Sequence, residues 1–272
     1  MMNKRQVKIN FDKKASVYDR YAAVQTGMAE ETAALALEAA PDARELLELG
    51  CGTGALTGRL LACLPAASVT AVDLAPAMAD TAATKLAAHR ERLRIVVGDA
   101  ERLPETLGFG PEPRYDLVAS SATFQWFADP QAAVGMLTRY VRPGGAVAFA
   151  TFGPDTFREL RASFREAEAS LGLPHAPRTL AFPDRGDWVR WFERADARLT
   201  IAERCVTQHF ASPRDFLTSV KSIGANHVER PGAAPFSKSL FTAMSAAYEK
   251  RFAVSGGIAA TYHIYSGVAI VR

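Results

Sequence analysis

LELGCGTG, residues 47–54, sets three glycines directly behind a short apolar run and ahead of ALTGRLLACL, 55–64. An apolar run, a glycine-rich turn and a helix-forming segment in that order read as strand, loop and helix. Glycine at 50, 52 and 54 lets the backbone turn sharply and lets a ligand come close to the main chain. The helix behind the loop offers free N–H groups to a polar or anionic ligand. The spacing is G-x-G-x-G, not the G-x-G-x-x-G of dinucleotide-binding turns.

Working outward, strands and helices alternate. Strands are expected at 43–50, 68–74, 93–99, 115–121 and 146–152, and helices at 55–64, 76–90 and 129–141, the last closed by Arg142-Pro143-Gly144-Gly145. Such alternation predicts a doubly wound, mostly parallel sheet with helices on both faces. Beyond 152 come amphipathic helices at 156–172 and 187–195, a strand at 197–210, helical residues at 213–253 broken by GANHVERPGAAP, and a final strand at 258–272. The pattern predicts an α/β fold with seven strands and a helical cap inserted among the last of them. Asp73 ends the second strand, where a carboxylate can accept hydrogen bonds from both hydroxyls of a ribose. Asp99 ends the third, placed to accept from an adenine amino group.

LELGCGTG, VDLAPAM (72–78) and VVGDAERLP (96–104) resemble the first three motifs of the class I S-adenosylmethionine-dependent methyltransferases, a Rossmann-like family. The resemblance implies S-adenosyl-L-methionine as cofactor and S-adenosyl-L-homocysteine as product. It assigns cofactor contacts to Gly50, Gly52, Gly54, Asp73, Leu74, Met78, Asp99, Ala100 and Ser120, and places Glu48 near the methionine end. An NAD dehydrogenase is the competing cofactor reading, and both the glycine spacing and the Asp99 motif count against it.

The acceptor should lie beyond strands four and five. There SSATFQWFADP (120–130) brings Phe124, Gln125 and Trp126 beside the methyl donor. No catalytic base stands out: the five histidines are dispersed, no cysteine pairs with a histidine, and no Asn-Pro-Pro-aromatic motif is present. That absence suits a carboxylate acceptor, ionised at neutral pH without help. FDKKASVYDRYAAVQ (11–25), SATFQWF, TFGPDTFREL (151–160), SVKSIGANHV (219–228) and TYHIYSGVA (261–269) together resemble the malonyl-acyl-carrier-protein O-methyltransferases of biotin synthesis, over nearly the whole chain. Ser121 departs from the asparagine of that pattern. The resemblance implies carboxyl O-methylation of a malonyl thioester on acyl carrier protein. A free small acid such as trans-aconitate is the alternative acceptor, and a non-catalytic methyltransferase-like subunit the alternative class.

In residues 11–25, Phe11, Ala15, Tyr18, Ala22 and Gln25 fall at helical spacing, so one helix is expected there, a lid over the site. Tyr18 is assigned a hydrogen bond to the substrate carboxylate and Gln25 the cofactor's methionine end. Lys221 or His263 is the further candidate for carboxylate recognition. The organisation expected is one domain over 1–272: lid 1–40, cofactor core 41–152, and cap with the last two strands 153–272. Net charge is +3, but residues 1–20 and 151–272 are basic and 21–150 acidic, so the flanks suit an acidic partner such as a carrier protein. Nucleic acid is not expected, since no dense basic block is interleaved with aromatics. Nor is a membrane, since no apolar run approaches roughly 20 residues. Cys51, Cys63 and Cys205 show no metal-ligand spacing, no metal is expected, and a reducing cytoplasm is the expected compartment. The sequence leaves the oligomeric state open.

Overall fold

The computed structural model describes residues 3–224 and 236–272. Strand β1 (Glu45–Leu49) is buried from Leu46 onward, on both faces of the sheet, as a central parallel strand must be. Around it lie β2 (Ser68–Asp73), β3 (Leu93–Val97), β4 (Tyr115–Ser121), β5 (Val141–Phe152), β6 (Ala197–Phe210), a two-residue β7 (Ala253–Val254) and β8 (Gly257–Val271). The order is β3-β2-β1-β4-β5-β8-β6, with β7 paired to β8 at the side. The first five strands run parallel, and β8 is antiparallel to both β5 and β6. Seven strands therefore form the main path and β7 adds an eighth. The strand order reverses between β1 and β4, so a crevice opens at their carboxyl ends, where open α/β sheets bind ligands.

The helices are α1 (Lys4–Asp12), α2 (Tyr18–Tyr21), α3 (Ala23–Ala39), α4 (Ala55–Cys63), α5 (Pro76–Lys85), α6 (Leu103–Leu107), α7 (Pro130–Leu137), α8 (Arg158–Ser170), α9 (Arg185–Arg194), α10 (Pro213–Ser222) and α11 (Lys238–Phe252). One face of the sheet is covered by α3 and α4 through Ala29, Ala33, Ala36, Leu56 and Leu60. The other is covered by α7 and α9, where Trp188 lies against Phe124 and Phe149 at 5.4 and 5.3 Å between ring centroids. Thus α9 packs on the sheet. The other C-terminal helices, α8, α10 and α11, meet one another through Phe164, Phe216, Met244 and Tyr248, and α10 touches α2.

Two local expectations are corrected. Residues 11–25 do not form one helix: α1 ends at Asp12, 13–17 turn, and only then come α2 and α3. The reason is tertiary. Asp12 accepts the N–H of Ala77 at 2.9 Å, capping α5, whose own N-cap Ala75 has no side chain to do so. Asp19 accepts from the Thr53 hydroxyl at 2.5 Å and pairs with Lys85, drawing α2 onto the glycine loop. The second correction is Arg142-Pro143-Gly144-Gly145, which lies inside β5 at a register shift instead of ending a helix. Gly145 is required there, because a Cβ would stand 2.8 Å from the Asp116 carbonyl oxygen.

Candidate active site

The loop after β1 and the loop after β4 meet at the crevice. Gly50 has φ +72°, and a Cβ on it would fall 2.1 Å from the Thr123 hydroxyl; only glycine fits. Gly52 also has positive φ, +53°, yet nothing lies within 4 Å of its absent Cβ. Its open side lines a cavity of about 90 Å³ together with Gly50, Asp73, Leu74, Met78, Asp99 and Ala100.

Asp73 engages the glycine loop with one carboxylate oxygen and its own turn into α5 with the other. Oδ2 accepts the Gly52 N–H and Oδ1 the Ala75 N–H, each at 2.8 Å. Burial raises its pKa to about 6, against the lowering effect of those two N–H groups. Asp99 Oδ1 accepts Lys4 Nζ at 2.9 Å and the Glu101 N–H at 3.0 Å. Lys4 also pairs with Glu101, so α1 is latched across this pocket.

A larger cavity of about 400 Å³ adjoins the first. Phe11, Tyr18, Ala122 and Trp126 line both. Phe11 meets Trp126 edge-on at 5.3 Å. Ala122 and Phe157, both on the walls, hold φ of 52° and 61°, strained conformations for residues with a Cβ. The lining is mostly apolar and rich in aromatic rings, with polar groups on Tyr18, Gln25, Gln125, Thr156, Arg178, Thr179, Lys221 and Tyr262. Among the described residues it contains no Asp, Glu, His or Cys. Gln125 donates to the Ala122 carbonyl at 2.5 Å and accepts from Thr151 at 3.3 Å, so its amide is fixed in place. The Tyr18 hydroxyl makes no hydrogen bond to a described residue, and burial, with the charges of Asp73 and Asp19, pushes its pKa well up.

Tyr18, Gln25, Gln125, Trp126 and Lys221 are thus brought together at the large cavity. The structure does not bring all the expected residues to the site. Gln25 lines the large cavity and not the small one. Gly54, at φ +89°, packs its bare Cα against Leu86 and caps α4. Ser120 is buried with its hydroxyl donating to Leu49 O at 3.1 Å; its neighbour Ser121 lines the small cavity, its own hydroxyl buried and unpartnered. His263 lines neither cavity: its Nδ1 accepts the Asp155 N–H at 3.2 Å and fixes the turn after β5. Ala225, Asn226, His227 and Val228 of the SVKSIGANHV segment lie outside the described residues. Sequence reasoning missed Lys4, Thr123 and Arg178; only the proline-rich PHAPRTLAFP (174–183) around Arg178 signalled a shaped loop.

A methyltransferase-domain model matches residues 46–145. The malonyl-acyl-carrier-protein O-methyltransferase of Geobacter sulfurreducens is 36% identical over 270 residues, covering 98% of this chain and 99% of that protein. The enzyme of the same name from Halalkalibacterium halodurans is 34% identical over 266 residues, covering 96% of each chain. This chain belongs to the malonyl-acyl-carrier-protein O-methyltransferase family. Among solved structures, the YcgJ protein of Bacillus subtilis superposes with a TM-score of 0.62 at 16% identity, over 89% of this chain and 99% of that one. The [4+2]-cyclase SpnF superposes with 0.54 at 15% identity, over 89% and 81%. Those two likenesses show the fold alone, and a cyclase among them shows that the fold does not choose the chemistry.

Glu48, in β1, lines neither cavity. It is 1% exposed with Oε2 unpartnered, and burial raises its pKa from 4.5 to about 7, opposed by Thr57 and reinforced by the Asp73 charge. Between those two values the folded chain holds a proton that the unfolded chain releases, so stability falls as pH rises through the window. Glu48→Gln is therefore expected to be more stable than the parent at pH 8, by about 3 kcal/mol, and equal to it below pH 4.5. Thermal unfolding at the two pH values checks this; equal melting at pH 8 would show that the buried charge is compensated. No helix among the described residues is long and apolar enough to cross a membrane, and no group of His, Cys, Asp or Glu among them is placed to hold a metal.

Proposed function

We propose that the protein methylates the free carboxylate of a malonyl group held as a thioester on acyl carrier protein, using S-adenosylmethionine and releasing S-adenosylhomocysteine. One observation carries the reading: a cavity that has cations, and no acid or histidine among the described residues, adjoins the glycine-loop pocket through Tyr18 and Trp126. Such a cavity suits an anionic acceptor that needs no base. Full-length identity to enzymes named for this substrate supports it.

The residues of the small pocket fit the cofactor. The open face of Gly52 admits close approach, Asp73 has lone pairs left for ribose hydroxyls, and the unpartnered hydroxyl of Ser121 awaits a polar group. At about 90 Å³ the pocket is below the roughly 300 Å³ at which small-molecule sites begin, so α1 moves outward, taking Lys4 off Asp99, to admit a nucleoside. In this reading 1–40 is the lid, 41–152 the cofactor core, and 153–272 the cap with the last two strands.

When bound, S-adenosylmethionine supplies a methyl group on a positively charged sulfur. The malonyl carboxylate, with a pKa near 4, is already ionised, and no proton has to leave. Tyr18 stays protonated and donates to one carboxylate oxygen, leaving the other free to attack. Gln125, held by Thr151 and Ala122, fixes the wall beside it. Phe11 on Trp126 shuts out water that would stabilise the separated charges. Alignment is the main contribution, worth roughly 7–11 kcal/mol at best.

Mass spectrometry of malonyl-acyl-carrier protein after incubation with the protein and S-adenosylmethionine tests the proposal, with malonyl-coenzyme A, free malonate and trans-aconitate in parallel. The expected product is the carrier one methylene heavier on its malonyl group, reversed by mild ester hydrolysis. An unmodified carrier beside a methylated free acid would overturn the reading.

A further inference from the structure

Three cavities lie in series. The large cavity shares one set of walls with the cofactor pocket, as above. It shares another set, Phe164, Arg178, Thr179, Leu180 and Phe182, with a third cavity of about 280 Å³. The third cavity differs in character from the other two. Arg161, Arg165, His175 and Arg178 line it, and among the described residues no acid does.

The charges there are only partly neutralised. Glu168, 1% exposed, takes Arg178 Nε and His175 Nδ1, each at 2.8 Å. Arg161 donates to the Thr156 carbonyl and to the Pro154 carbonyl, the latter at 2.6 Å, and these neutral partners leave its charge standing. Burial lowers the Arg161 pKa and Arg165 adds to the lowering, while Asp155 and Glu159 oppose it. Arg165 is exposed and has no ion pair among the described residues. Two neighbouring like charges held by one helix, α8, favour an anion between or beside them. The outer wall is the connection from α8 to α9, residues 171–184 without helix or strand and with Pro174, Pro177 and Pro183. A long ordered connection of this kind is usually functional.

Resting on the function proposed above, we infer that this outer chamber receives the phosphodiester of the phosphopantetheine arm that carries the malonyl group. The substrate then has an anionic group at each end. Its carboxylate reaches Tyr18 beside the cofactor pocket, its uncharged middle lies among the aromatic walls, and its phosphate meets Arg161 and Arg165. Charge complementarity at the far end selects the carrier's arm over an uncharged thioester.

Rates on malonyl-pantetheine and malonyl-4′-phosphopantetheine, which differ only in the phosphate, test this. The parent is expected to favour the phosphorylated substrate in kcat/KM by roughly tenfold, the lower end of what a charge-assisted hydrogen bond contributes. In Arg165→Glu the ratio is expected to collapse to about 2 or below, whatever the absolute rates; circular dichroism verifies that the variant is folded. Equal use of both substrates by the parent, or an unchanged ratio in the variant, would overturn the inference and leave the proposed reaction standing. Malonyl-coenzyme A far exceeding malonyl-4′-phosphopantetheine would also overturn it, assigning the chamber to a nucleotide. Methylation of neither thioester would instead remove the proposed function itself, and this inference with it.

Discussion

Asp73→Asn is expected to weaken binding of S-adenosylhomocysteine about 100-fold or more while leaving the protein folded. Each oxygen of Asp73 already accepts a backbone N–H, from Gly52 and from Ala75. An asparagine has one acceptor and one donor, so its amide nitrogen must face one of those N–H groups. Either the side chain or the loop then turns. The ribose also loses a charged acceptor, and two charge-assisted hydrogen bonds of roughly 1.5–3 kcal/mol each account for a hundredfold or more. Stability moves less. The unsatisfied N–H costs about 1–3 kcal/mol, offset by removing a buried carboxylate whose pKa burial has raised to about 6. Calorimetric titration with S-adenosylhomocysteine, alongside thermal unfolding, reads both. Affinity within threefold of the parent would reduce Asp73 to a staple of the loop. The same pKa gives the parent a pH signature: binding should weaken as pH falls through about 6, where the carboxylate takes up its proton.

The strand–loop–helix at residues 47–64 was legible because local chemistry alone specifies it. Gly50 must be glycine where the β1 and β4 loops touch, and a buried parallel strand has to be apolar. Strands 115–121 and 197–210 were readable to the residue, since apolar or alternating runs leave no other period. The lid was not. Phe11, Tyr18 and Gln25 do converge on one cavity, but a continuous helix does not bring them there. Asp12 and Asp19, on no apolar stripe, bond to Ala77, Thr53 and Lys85 across the fold, and long-range bonds of this kind leave no periodic trace. Ser120 and Ser121 show the limit in miniature. Neighbours on a strand face opposite sides, and without the register of β4 against β1 a motif does not say which serine meets the ligand. Arg178 was hidden for a related reason: its importance comes from the two cavities it separates, and neither is a property of the chain near it.

Tyr18→Phe is expected to lower kcat about 100-fold, the scale on which a single well-placed donor to a reacting oxygen acts, with less than threefold change in KM for the malonyl thioester. Phenylalanine keeps the ring, which stands 6.3 Å from Phe11 between centroids, so the wall between the two cavities survives and only the hydroxyl goes. That hydroxyl is the group in question because no described residue uses it, while the Gln125 amide nearby is already engaged. Burial and the neighbouring charges of Asp73 and Asp19 keep it protonated, so it can donate and cannot serve as a base near neutral pH. A donor holding one carboxylate oxygen restricts the rotation of the nucleophile without occupying both oxygens, as a bidentate arginine would. The loss should therefore fall on the chemical step and spare binding. Single-turnover kinetics at saturating malonyl thioester would separate the two. An unchanged single-turnover rate would make Tyr18 a partition between the cavities, and the donor would then have to be sought at Lys221, which lines the same cavity from α10.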